Sequence, residues 1–155
     1  MIREFRMKFY LEVTGFFVFM IYTGCGLDPD KTPTFISYDS RETGGCLREI
    51  PYDQITNEAL LTWRYEDNNL ELYINIDTHC AASLKDSVRI SNNNITIFLQ
   101  DTVSQTSPCG CIYRETFYLA VSGYEEADLL CFFKPYKASD YKRVIDKRLA
   151  LTPLP

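Results

Sequence analysis

From about residue 60 onward, apolar and polar side chains alternate along the chain in short runs separated by turn-forming residues. Leu70-Glu71-Leu72-Tyr73-Ile74-Asn75-Ile76-Asp77 alternates over its whole length, as a strand with one buried face must. Asp67-Asn68-Asn69 before it is turn chemistry, and Thr62-Trp63-Arg64-Tyr65 supplies the other arm of a hairpin. A second hairpin follows, in which Ser87-Val88-Arg89-Ile90 and Ile95-Thr96-Ile97-Phe98-Leu99 flank Ser91-Asn92-Asn93-Asn94. The run from Cys111 to Val121 reads as one long strand, and Asp128 to Lys134 as another. Short strands with frequent turns predict an all-β fold, an antiparallel β-sandwich of six to seven strands, immunoglobulin-like or similar, over residues 46–155. Only 139–150 has a helical look, which predicts a short C-terminal helix, and residues 52–61 fit one short turn.

The other end of the chain follows a different rule. Arg3, Arg6 and Lys8 lead into the apolar run Val13 to Ile21, which closes on Tyr22-Thr23-Gly24-Cys25. Charge, then a short apolar stretch, then small residues is the order of an export signal, and the run is too short to span a bilayer. Glu12 interrupts the apolar region, and the pattern improves if translation starts at Met7. The closing residues resemble the bacterial lipobox, in which a small residue precedes a cysteine that becomes the lipidated first residue; Tyr22 stands where a leucine is usual. The resemblance covers residues 7–25 and implies a signal peptide over 1–24, acyl chains on Cys25 and a lipid-anchored flexible tether over 25–45. Each buried methylene contributes roughly 0.8 kcal/mol, so several chains together hold a protein firmly to a membrane. Beyond its signal, the chain is similar in texture to small, β-rich, cysteine-containing envelope lipoproteins of Bacteroidetes. That likeness implies an envelope location and no particular activity; Gly26 rather than aspartate after the cysteine favours the outer membrane by enterobacterial sorting logic, facing the periplasm or the cell surface. Two short sequences, Asp86-Ser87-Val88 and Asp101-Thr102-Val103, resemble the O-glycosylation acceptor of exported Bacteroidetes proteins and make Ser87 and Thr102 candidate glycan carriers.

Charge narrows the partners. The chain of 155 residues carries a formal net charge of −5, and no dense cluster of Lys and Arg stands against that balance. Phosphate binding needs such clusters, so nucleic acid is not an expected partner. The richest basic stretch, Tyr141 to Arg148, reads as a solvated face. The expected partners are the membrane, through the lipid, and an envelope protein or a glycan.

Cysteine is the most suggestive chemistry. Export implies an oxidising compartment in which thiols pair. With Cys25 lipidated, Cys46, Cys80, Cys109, Cys111 and Cys131 remain, an odd number that leaves several pairings open. The preferred bridge joins Cys80 to Cys109 or Cys111; Cys46 could reach any of the others, and Cys131, inside an apolar strand, reads as a buried thiol. A sharper alternative gathers His79, Cys80, Cys109 and Cys111 around zinc or copper(I), or into a thiol-redox centre, since imidazole and thiolates suit a soft ion. Against it, paired Cys-X-X-Cys ligand motifs are missing, and so is the strand-to-helix Cys-X-X-Cys of thioredoxin-like oxidoreductases.

Enzyme signatures are absent: there is no Gly-X-Ser-X-Gly, no His-Glu-X-X-His and no phosphate loop. The acid pairs Glu66-Asp67 and Glu125-Glu126 sit in turn-like surroundings, where solvated carboxylates are ordinary. Tyr73 and Tyr118 fall off the apolar stripes of their strands. They read as core or as rings lying over the sheet, with a platform for stacking sugars or gripping a protein as the alternative. The expectation is a binding or structural accessory module of the cell envelope, not an enzyme, with no cofactor.

Overall fold

The computed structural model describes residues 34–103 and 107–152. Within them the chain forms eight strands: β1 (Phe35–Pro51), β2 (Ala59–Glu66), β3 (Asn69–His79), β4 (Leu84–Ser91), β5 (Asn94–Asp101), β6 (Cys109–Ser122), β7 (Glu126–Lys134) and β8 (Lys142–Ala150), with one 3-10 turn at Tyr52–Gln54. They make two four-stranded sheets, in the orders β1-β6-β3-β2 and β4-β5-β7-β8. All neighbouring pairs are antiparallel except β5 with β7, which run parallel.

The alternation seen in the sequence is what builds the core. Leu70, Leu72, Ile74 and Ile76 of β3, Ile95, Ile97 and Leu99 of β5, Phe117 of β6 and Leu129, Cys131 and Phe133 of β7 are all fully buried in one cluster shared by both sheets. The residues between them face outward, so each central strand has one dry face and one wet face. The β2–β3 turn places Asp67 and Asn68 at φ of 49° and 62°. Two successive positive φ values define the tight hairpin turn that suits twisted strands, and Asp and Asn tolerate them.

The sandwich is as expected, and three details differ. There are eight strands, because β1 begins at Phe35; residues 35–45, expected as tether, form the first part of an edge strand. Residues 142–150, expected as helix, form β8. Ile145 and Leu149 lie four residues apart, a spacing that fits a helix face and equally one face of a strand, and the pairing of β8 with β7 selects the strand. The parallel β5–β7 pair makes the second sheet mixed rather than wholly antiparallel. The signal segment 1–24, Cys25 and the tether up to residue 33 lie outside the described residues.

Candidate functional site

His79, Cys80, Cys109 and Cys111, four of the residues singled out in the sequence, come close together, and the three cysteines among them are already bonded. Cys80 pairs with Cys109 and Cys46 with Cys111, with Cα–Cα separations of 5.5 and 5.7 Å. The first bridge lies where β3 runs out against β6, and the Cys80 amide donates to the Cys109 carbonyl at 2.9 Å. The second ties the edge strand β1 to β6 across a bulge in β1 at Cys46. Cys109-Gly110-Cys111 therefore holds two partners, Cys46 on β1 and Cys80 just beyond the end of β3. Gly110 is needed because a Cβ there would lie 2.7 Å from both Ile50 and Ile55, which cover it. Cys131 is the free cysteine among the described residues, and burial pushes its thiol up to about 12. It is a core side chain and a poor nucleophile.

These bonds remove the sulfurs that a soft metal would need. With Cys80, Cys109 and Cys111 oxidised, His79 is the one residue of the alternative set left with a free donor. Among the described residues no group of three or more His, Cys, Asp or Glu side chains is placed to hold a metal ion.

His79 has a different partner, one that sequence spacing did not reveal. Its Nε2 lies 2.6 Å from Asp101 Oδ2, with both side chains buried. Neither imidazole nitrogen nor Asp101 Oδ2 makes an aligned hydrogen bond, so the two buried groups meet in close contact with both ring nitrogens unsatisfied. Asp101 is itself held by the Ser83 and Val103 amides, each donating to Oδ1 at 3.1 Å. The Tyr136 ring stands edge-on to the imidazole at 5.7 Å. Beside it lies a cleft of about 200 Å³ lined by Tyr52, Ile55, Asn57, Thr78, His79 and Pro135 together with Tyr136. No hydroxyl or thiol is bonded to Nδ1 as an aligned nucleophile. The evident work of the His79–Asp101 pair is to fasten the end of β3 to the end of β5.

The outer face of the β1-β6-β3-β2 sheet carries the exposed polar chemistry. Tyr73 and Tyr118 lie half-buried over this face, the ring-over-sheet arrangement. The Tyr73 hydroxyl donates to Glu71 and the Tyr118 hydroxyl to Glu42 at 3.0 Å. These carboxylate bonds are the main reason both phenols titrate above their ordinary value. Arg114 donates to Asn75 at 3.0 Å and sits 5.9 Å from the Tyr73 ring centre. A groove of about 350 Å³ runs along this face between Tyr118, Glu71, Arg64, Asn69, Asp67 and Asp39. Aromatic faces with fixed carboxylate, amide and guanidinium groups are the equipment that grips hydroxyl-rich or peptide surfaces.

The remaining candidates are quickly placed. Ser87 is exposed on β4; Thr102 is exposed too, its hydroxyl donating to the Ser83 carbonyl at 3.0 Å. Glu66 is the last residue of β2 and Asp67 opens the turn to β3, and Glu126 meets Arg148 at 3.6 Å. The basic stretch is β8, where Arg143 pairs with Asp146 at 2.8 Å and Arg148 with Asp128 at 2.9 Å. No protein family, curated protein or solved structure matches the chain.

Proposed function

We propose that this protein is a lipid-anchored binding module of the cell envelope, held to the membrane through Cys25, which engages its ligand with the outer face of the β1-β6-β3-β2 sheet. The observation that carries the reading is the groove beside Tyr118, where an aromatic ring, Arg64 and the carboxylates of Asp39, Asp67 and Glu71 share one open surface. Rigidity supports it. Two disulfides and a dry core hold that face still, which lowers the ordering cost of binding. The ligand is a glycan or a protein, and the module acts by holding it, without chemistry of its own.

The test has two arms. Radiolabelled palmitate should enter the full-length chain in a host with lipoprotein-processing enzymes and should be lost in Cys25→Ala; label retained in that variant removes the anchor. An array of envelope glycans, probed with the intact protein and with Tyr118→Ala, should show binding that falls at least about tenfold in the variant, as loss of an aromatic stacking contact and its hydrogen bond requires. Equal binding by both proteins would move the ligand off this face.

A further inference from the structure

The outer faces of the two sheets differ in charge. On the β1-β6-β3-β2 face, Arg64 meets Glu66 and Glu71, and Asp39 and Asp67 bring two more carboxylates to the same groove. The outer face of the β4-β5-β7-β8 sheet is built from the positions that alternate with the buried residues of β5 and β7. Across it, Gln100 lies between Lys85 and Lys134 in one cross-strand row, and Ser87, Phe98 and Phe132 follow one another in the next. The topology thus gathers cations that are far apart in the chain.

These cations surround a row of rings. Phe98 and Phe132 stack at 5.3 Å between centroids, and Tyr141, 42% exposed, stands edge-on to Phe98 at 5.4 Å with its hydroxyl donating to Gln100 at 3.3 Å. The Arg89 guanidinium lies 5.1 Å from the centre of the Phe98 ring, and the Lys134 ammonium 5.8 Å from that of Tyr141. A ring attracts a cation through its quadrupole and leaves the charge intact, so both groups are positioned and still open to an anion. The carboxylates nearer β8 are engaged elsewhere: Asp146 by Arg143, and Asp128 and Glu126 by Arg148. Asp140, just before Tyr141, accepts from the Ser139 hydroxyl at 2.6 Å. Lys85, Arg89 and Lys134 meet no carboxylate among the described residues.

We propose that this face binds an acidic polysaccharide, with sugar rings over Tyr141, Phe98 and Phe132 and carboxylates on Arg89, Lys134 and Lys85. Charge complementarity carries the choice. On a chain of net charge −5 the surface at large repels an anion, which settles only where cations stand uncompensated. The rest of the face selects the sugar. β5 and β7 are paired on both sides, so they offer no backbone ladder to a peptide strand. What they and β4 present is apolar ring surface for the flat side of a sugar, with the Ser87 hydroxyl and the Gln100 amide for its hydroxyls. The inference does not depend on the lipid anchor or on the Tyr118 groove.

Polygalacturonate, alginate and hyaluronate, carboxylate polysaccharides of different linkage, serve as probes, each beside its methyl ester, which keeps the rings and removes the charge. Titration calorimetry on the full-length protein should show binding to at least one of them that weakens as salt rises and is at least about tenfold weaker for the ester. Arg89→Gln with Lys134→Gln should weaken it at least about tenfold, and Tyr141→Ala at least about threefold. Arg48→Gln with Lys147→Gln removes the same charge from exposed positions away from the rings and should stay within about twofold of the parent. Binding to none of the polysaccharides, equal binding to acid and ester, or equal loss in the two double variants overturns the proposal. Vesicles containing phosphatidylglycerol, or an oligothymidylate, bound more tightly than any polysaccharide and with the same dependence on Arg89 and Lys134, would overturn it too and make the occupant a membrane or a nucleic acid.

Discussion

The two long sides of the sandwich where its sheets meet are built on opposite principles. At the β1–β4 side, Arg41 of β1 reaches Asp86 of β4 at 3.0 Å, the Leu84 carbonyl at 3.2 Å and Glu115 of β6 at 3.4 Å. Thr43 donates to Glu115 at 3.0 Å, and Cys46 ties the same edge strand to Cys111. At the β2–β8 side there is no ion pair or disulfide between the two edge strands among the described residues, and an apolar groove stands open. One side is closed by polar and covalent ties within the chain, while the other has a groove lined by Leu61, Trp63 and Tyr65 of β2 and Ala150 of β8.

Opening the closed side should cost the most. Replacing Cys46 and Cys111 together by alanine frees a loop with a sequence separation of 65, and the chain-entropy account gives a loss of about 4 kcal/mol. Urea denaturation of the oxidised parent and the variant reads this directly; a change below about 1 kcal/mol would mean that the polar ties alone hold β1. Next comes Arg41→Met. Glu115 is fully buried, and removing the partner of a buried charge costs about 3 kcal/mol. Adding Glu115→Leu to Arg41→Met should recover a large part of that loss, since a paired charge and an apolar pair are often equivalent inside a protein. If the double variant is no better than the single one, Arg41 works mainly through Asp86 and Leu84.

This contrast also explains what the sequence could and could not reveal. The central strands β3, β5, β6 and β7 alternate cleanly because each has one buried face, and both hairpins are legible for the same reason. β1 is not legible. Its three register shifts break the period of two, Gly44-Gly45 interrupts it, and only Ile36 along its length is buried. An edge strand held by a disulfide and an arginine has no need of an apolar stripe, so it looks like a tether. β8 misleads differently: Lys147 sits at the interior-facing position between Ile145 and Leu149, and that charge hides the strand period. That Cys80 bonds to the Cys109-Gly110-Cys111 segment, and that Cys131 is a buried thiol, is readable from strand ends and apolar context; which of the two cysteines Cys80 takes is not. Asp101 as the partner of His79 was not, because the two lie on different sheets and only the folded chain brings them together.

A smaller effect tests the closed side by pH. Burial is the largest influence on Glu115 and raises its carboxyl above the ordinary 4.5, while Arg41 and the Thr43 hydroxyl pull it back in part. A carboxyl raised on folding lends stability when protonated; that stability is fully present below 4.5 and is lost as pH climbs through the raised value. Glu115→Gln stays neutral throughout. Its stability relative to the parent should therefore rise between pH 4.5 and neutrality, and urea midpoints measured across that window will show it. A difference that stays flat with pH would mean that Arg41 fully compensates the buried carboxylate.

The smallest change belongs to the open side. Leu60 points outward from β2 and is 74% exposed, so Leu60→Lys should shift stability by no more than about 0.5 kcal/mol, as ordinary surface substitutions do. Buried apolar area is what stabilises a core position, and Leu60 has little to lose. The comparison that matters is with Leu72, fully buried on the neighbouring strand, where Leu72→Ala should cost about 2–5 kcal/mol. Measured side by side, the two variants ask whether β2 is part of the folding core or an appendage to it. If Leu60→Lys destabilises by more than about 1 kcal/mol, residue 60 is already covered in the free protein, and the β2 side is no longer the mirror opposite of the sealed β1 side.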